Sequence, residues 1–175
     1  MMKVYCSEPF FLIRSAAEED LDKVLEIEQL SFEDFWTHDG LKGALKGLFL
    51  VCGRKDIIGY LFACPCKLEK RAEILRIAVH PDHRGKGVAK RLVETSLRIF
   101  LKDDIKEVEL FVDSKNTSAI KLYERFGFEI TKIAPFYHHL EFQISYVLKL
   151  NLLELKETSR RLWETLYLKE ADYTT

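Results

Sequence analysis

The stretch from Ala72 to Phe100 constrains this chain more than any other. Ala72 to Val79 is rich in branched and aliphatic residues and predicts a strand. His80-Pro81-Asp82 halts it, because proline has no amide hydrogen for a ladder and restricts the residue before it. The glycines at 85 and 87 open a loop, and Val88 to Phe100 then sets Ala89, Leu92, Val93, Ser96 and Phe100 on one helical face. Strand, glycine-rich loop and helix in this order predict an α/β chain. A helix start carries unpaired amides and partial positive charge, and glycines let that backbone approach a phosphate closely. Arg84-Gly85-Lys86-Gly87-Val88-Ala89 therefore has the chemistry of a pyrophosphate cradle. It is neither the three-glycine dinucleotide fingerprint nor the nucleoside-triphosphate loop with its Gly-Lys-Ser/Thr ending. Taken alone, the same six residues read equally as a turn with a basic, solvated face.

The rest of the chain surrounds this unit with further strands and helices. Phe10 to Arg14 predicts a first strand; Ser15 and the acids Glu18, Glu19 and Asp20 predict a helix start, followed by Leu21, Val24, Leu25 and Glu28 at helical spacing. A short helix ending near Lys46, then Leu48 to Cys52 and Ile57 to Leu68 joined by a hairpin turn, precede the central strand. After it come a strand at Lys106 to Val112, a helix at Thr117 to Phe126, and strands near Phe128 to Tyr137 and Phe142 to Leu150. Residues 151–175, with Leu155, Leu162, Trp163 and Leu166, predict an appended amphipathic helix that docks on the body or on a partner. With 175 residues, 47% of them hydrophobic, the main body over residues 1–150 is expected to be one domain with one core.

Charge and composition narrow the partners. The 27 basic and 28 acidic side chains give a net charge of −1, so no global field holds nucleic acid or anionic lipid, and any anion site is local. The apolar run Ile57 to Cys64 falls far short of the ~20 residues that cross a bilayer, so no membrane span is expected. No secretory pattern is read near the N-terminus, and a cytoplasmic address is expected. Cys6, Cys52, Cys64 and Cys66 are read as reduced thiols; Cys64-Pro65-Cys66 lacks the ligand spacing of zinc motifs and lies in an apolar strand, so no metal is expected.

Two blocks resemble a known family. The run from Glu73 to Ala89, strand plus Arg84-Gly85-Lys86-Gly87-Val88-Ala89, is similar to the coenzyme-binding block of the GCN5-related N-acetyltransferases (GNAT). Downstream, Asn116, Ala119, Leu122, Tyr123, Gly127 and Phe128 match that family's other block, Asn-x-x-Ala-x-x-Leu-Tyr followed by Gly-Phe. The resemblance covers roughly residues 10–150 and implies a mixed α/β fold: a splayed, mostly antiparallel sheet of about six to seven strands, about four flanking helices and a C-terminal helix.

It also implies acetyl-coenzyme A, its pyrophosphate on the amides of Arg84 to Ala89, its pantetheine arm beside Ile77, Ala78 and Val79, and Asn116 in the coenzyme-binding set. Direct acetyl transfer to an amine follows. Tyr123 is the implied acid, the amide of Val79 or a neighbour the oxyanion donor, and Glu73 stands where histone-acetylating members carry a catalytic glutamate. His138, His139 and Glu141 are alternative proton acceptors.

Within the family the chain resembles the RimI-type protein N-terminal (alanine) acetyltransferases, through Ile27-Glu28-x-x-Ser31-Phe32, Trp36 and the pair Phe136-Tyr137. That resemblance implies an acceptor groove for a protein or peptide N-terminus, with Phe32, Trp36, Tyr137 and His138 as the expected acceptor residues; a lysine acceptor and either a monomer or a homodimer are also compatible with the sequence. Phe111 stands where that branch carries a glutamate, so Glu73 or a water relay has to take the proton. A small-molecule transferase, its acceptor a polyamine drawn by Glu33, Asp34, Asp39 and Glu141, would share every coenzyme contact. A non-catalytic acyl-coenzyme A sensor would lack an acid, and the presence of Tyr123 argues against it.

Overall fold

The computed structural model describes residues 3–7, 11–138 and 141–158. Eight strands follow each other as hydrogen-bonded neighbours in the order β1-β2-β3-β4-β5-β6-β8-β7, mostly antiparallel. The described residues fall into two compact units, one from the chain up to Cys64 with Leu75–Ile99, the other from Pro65–Ile74 with Phe100 onward. β5 (Arg71–Val79) contributes its second half to the first unit and its first half to the second.

The first unit begins with an antiparallel series, β1 (Val4–Ser7), β2 (Leu12–Ser15), β3 (Leu48–Cys52) and β4 (Gly59–Cys66, as far as Cys64 in this unit). Between β2 and β3 lie a 3-10 turn (Glu18–Asp20), α1 (Leu21–Ser31) and α2 (His38–Ala44). Leu21, Val24 and Ile27 recur at helical spacing on α1 and are buried with Leu41 and Ala44 of α2. They meet Phe49 and Val51 of β3, Tyr60 and Phe62 of β4, and Ala78 of β5, alternate residues on each strand as a pleated ladder requires. The entry to α1 is set by charge. Arg14 at the end of β2 donates to both carboxylate oxygens of Asp20 at 2.6 and 2.7 Å, and the Ala17 amide donates to it at 2.8 Å. Burial pushes the Asp20 pKa up, but the Arg14 and Ala17 bonds outweigh it and leave it below the ordinary value.

The second unit holds the start of β5, β6 (Glu107–Asp113), α4 (Thr117–Glu124), β7 (Glu129–His138), β8 (Glu141–Asn151) and α5 (Leu152–Thr158). β5 pairs with β6 in parallel from Arg71↔Glu107 to Ile74↔Leu110, β6 pairs antiparallel with β8, and β7–β8 is a hairpin with a bulge after Ile130. Val108, Leu110 and Val112 of β6 and Leu148 and Leu150 of β8 are buried, as are Tyr123, Phe126 and Phe128 around α4. α3 (Val88–Lys102) belongs mostly to the first unit and buries Leu92, Val93, Ser96, Leu97 and Phe100.

The mixed α/β class is as the residues imply, with one strand more than expected. β1 is only four residues long, too short for a period of two to register, and it exists because β2 offers it an edge. Ser15 ends β2 instead of opening a helix; the acids after it form the 3-10 turn, and α1 starts at Leu21. Phe10 lies outside the described residues. α5 begins the tail, with Leu152 and Leu155 buried; Leu162, Trp163 and Leu166 lie outside the described residues. Among the described residues no helix is long and apolar enough to cross a membrane.

Candidate active site

In the first unit, β5 ends at Val79 and a second 3-10 turn, Pro81–His83, swings the chain into the glycine loop. The side chain of His80 caps this turn by accepting from the Asp82 amide at 3.3 Å. The Arg84 amide closes the turn onto the Pro81 carbonyl at 3.2 Å, so it is committed, and the sequence-derived set from Arg84 to Ala89 shortens by one donor. The amides of Gly85, Lys86, Gly87, Val88 and Ala89 have no acceptor among the described residues; the first bond of α3 runs from the Arg91 amide to the Gly87 carbonyl. Gly85 and Gly87 take φ +74° and +84°, and a Cβ at either would meet nothing within 4 Å. The glycines thus allow a turn that other residues resist and leave the donor row bare on an open side. This donor set fits a diphosphate.

The two basic side chains of the loop are engaged within the protein. Arg84 Nε donates to the Val79 carbonyl at 3.1 Å and its terminal nitrogen to Ser31 Oγ at 3.2 Å, while Lys86 Nζ donates to the Asp82 carbonyl at 2.8 Å. The loop is therefore braced by its own cations, and its bare amides are the donors left open to an anion. On β5, the ladder with β6 ends at Ile74, so the β6-side edge of Leu75–Val79 is not taken up by that ladder. Ile77 and Ala78 lie on this edge with Val79, whose carbonyl already accepts from Arg84.

The segment after α1 is built around an internal ion pair. Glu28, fully buried on α1, accepts from the Tyr60 hydroxyl and from Arg76 Nε at 3.2 Å. Burial pushes the Tyr60 phenol up, and the bond to Glu28 and the charge of that carboxylate add to it. The Arg76 guanidinium lies over the Phe32 ring at 4.2 Å and 5.5 Å from the Trp36 ring, and donates to the Asp34 carbonyl at 2.7 Å. Trp36 in turn meets Phe62 edge-on at 5.3 Å. Phe32 and Trp36, both expected from the sequence, are thus brought together by Arg76.

In the second unit, Asn116 caps α4 by accepting from the Ala119 amide at 3.1 Å, which ties its side-chain oxygen to the helix start. Two turns on, Tyr123 is 4% exposed and its ring meets Phe128 edge-on at 5.5 Å. Burial alone pushes its phenol well above the ordinary value, so it stays protonated and able to donate. Glu73 on β5 is half-buried and pairs in register with Glu109 on β6. Its pKa is raised first by burial and then by the Glu109 charge. Glu109 is itself held by Lys149 Nζ at 3.0 Å, which also reaches Glu107 at 2.9 Å. Phe111 is 54% exposed and offers no proton acceptor. The side chains of Phe136, Tyr137, His138 and Glu141, and all of His139, lie outside the described residues.

Sequence reasoning missed the Glu28–Tyr60–Arg76 group and the part played by Glu109. A signal was present: Arg76 stands between Ile77 and Leu75 in an apolar strand, and Glu28 extends the buried stripe of α1. Two opposite charges at buried positions imply that they meet. Among the described residues no cluster of His, Cys, Asp or Glu could hold a metal ion.

Comparison with known proteins identifies the family. An uncharacterized N-acetyltransferase of Methanocaldococcus jannaschii is 32% identical over 147 residues, covering 73% of this chain, and the chain spans 65% of that relative's length. An N-alpha-acetyltransferase of Saccharolobus solfataricus is 26% identical over 144 residues, covering 73% of this chain and 86% of the relative. The crystal structure of the ribosomal-protein-S18-alanine N-acetyltransferase from Escherichia coli superposes with a TM-score of 0.74 at 21% identity, over 81% of this chain and 94% of that one, and shares the fold. The profile of the Acetyltransferase (GNAT) family matches residues 12–128, so the chain belongs to that family.

Proposed function

We propose that this protein transfers the acetyl group of acetyl-coenzyme A to an amine, with a protein N-terminal α-amine as acceptor. The observation that carries the reading is the row of unpartnered amides from Gly85 to Ala89, bared by two glycines at positive φ. Such donors suit the diphosphate of a coenzyme, and the amide edge of Ile77–Val79 suits the amides of its pantetheine arm. The choice of an α-amine over other amines rests on the likeness to the S. solfataricus N-alpha-acetyltransferase and on the aromatic segment Phe32–Trp36.

Acetyl-coenzyme A supplies the acetyl group activated as a thioester. Glu73, directly or through a water, accepts the proton that the amine gives up as it forms its new bond to carbon. An N–H at the end of β5, that of Val79 or a neighbour, donates to the carbonyl oxygen where negative charge develops. Tyr123 gives its phenolic proton to the sulfur as the carbon–sulfur bond breaks. One proton thus leaves the amine and one reaches the thiol, and bulk solvent restores Tyr123 and Glu73.

Acceptor trials test the reading. Purified protein with acetyl-coenzyme A is offered peptides with a free N-terminus, the same peptides blocked at the N-terminus but carrying lysine, and aliphatic diamines. Mass spectrometry is expected to find the acetyl group on the α-amine, at a kcat/KM exceeding that for diamines by about ten-fold or more. Preference for diamines would transfer the proposal to the small-molecule class, for which Glu33, Asp34 and Asp39 are exposed. Lysine as the better acceptor would move it to side-chain amines.

A further inference from the structure

We propose that Arg76 is a positioning residue for the acceptor: it clamps the Phe32–Trp36 segment onto the central strand and so sets acceptor affinity without taking part in the transfer. The proposal rests on the reading that Phe32 and Trp36 face the acceptor.

The geometry is that of a bracket. One side of the guanidinium is held inside the protein, where Nε meets the fully buried Glu28 at 3.2 Å and Tyr60 donates to the same carboxylate oxygen. The other Glu28 oxygen has no hydrogen-bond partner among the described residues, so Arg76 and Tyr60 together carry the compensation of a buried charge. The outer side of the guanidinium reaches the segment between α1 and α2. It bonds the Asp34 carbonyl at 2.7 Å, has Asp34 Oδ1 at 3.6 Å, and stacks at 4.2 Å on Phe32. A flat five-donor fork can do all of this at once, and an ammonium cannot. One residue earlier, Ser31 Oγ accepts from Arg84, so α1 is held at its last turn as well. Without the bracket the segment would have to be ordered by the acceptor itself, and that entropy would be subtracted from binding.

The test is Arg76→Lys, which keeps a cation near Glu28 and loses the fork. The chain has two tryptophans, so a Trp163→Phe background leaves Trp36 as the only indole reporter. Acrylamide quenching of Trp36 is expected to rise about two-fold and the peptide KM about ten-fold or more, with kcat and acetyl-coenzyme A affinity each changed less than about three-fold. Where lysine fails to support the fold, Arg76→Met with Glu28→Gln removes both buried charges together and is expected to give the same split. Unchanged quenching in either variant overturns the clamp. So does a change in which the peptide KM rises while kcat and coenzyme affinity fall in proportion, since that is what general structural damage produces. A wild-type protein inactive on every peptide overturns the acceptor reading, and the quenching result then decides the clamp by itself.

Discussion

Tyr123→Phe is expected to lower turnover by about ten-fold or more while changing acetyl-coenzyme A affinity less than about two-fold. The substitution removes one oxygen and keeps the ring, so the edge contact with Phe128 at 5.5 Å and the burial of α4 survive. What is lost is the proposed proton donor, a phenol whose pKa burial raises above the ordinary value. Without it the thiolate leaves unprotonated, or takes its proton from water, and general acid catalysis is worth about ten-fold or more at such a step. Steady-state kinetics beside a direct binding measurement separates the two effects. An unchanged kcat on the true acceptor would remove Tyr123 from the mechanism and leave it as a packing residue.

Glu73→Gln is expected to cost more, about a hundred-fold in kcat/KM, and to change the shape of the pH profile. Burial and the neighbouring Glu109 raise the Glu73 pKa, whereas Lys149 is drawn to Glu107 and Glu109. The groups near Glu73 in the ladder are Arg71 on its own strand, Glu107 and Glu109 on β6, and Lys149 on β8. A base works in its charged form, so activity is full above the raised pKa and falls as pH drops through it. That acid limb should be shifted upward from the ordinary glutamate value and be lost in Glu73→Gln. Glu109→Gln removes the like charge and should move the limb downward. A wild-type profile whose acid limb persists unshifted in Glu73→Gln would assign the proton to another acceptor.

Much of this was legible in the residues, for reasons that differ by element. The central strand, glycine loop and α3 could be read because proline, two glycines and a stripe of period 3.6 each act locally. β1 could not, since a four-residue strand is stable only through its partner. The identities of the loop donors were readable, but not that Arg84 and Lys86 would fold back onto Val79, Ser31 and Asp82, which depends on where α1 ends. The place of Glu73 on the central strand was readable, whereas the carboxylate beside it came from parallel register, which sequence spacing alone does not reveal. Arg76 was hidden for the same reason: its partners lie 48 residues away on α1 and 42 away in the segment that follows.

In the proposed function, bare amides from Gly85 to Ala89 hold the coenzyme by its diphosphate. Calorimetric titration of the folded protein with acetyl-coenzyme A, and separately with S-acetylpantetheine, which lacks the diphosphate, tests it most directly. Acetyl-coenzyme A is expected to bind in the micromolar range, about −8 kcal/mol, with a loss of about a hundred-fold or more for the truncated thioester. No heat with acetyl-coenzyme A, or equal affinity for the two compounds, would contradict it.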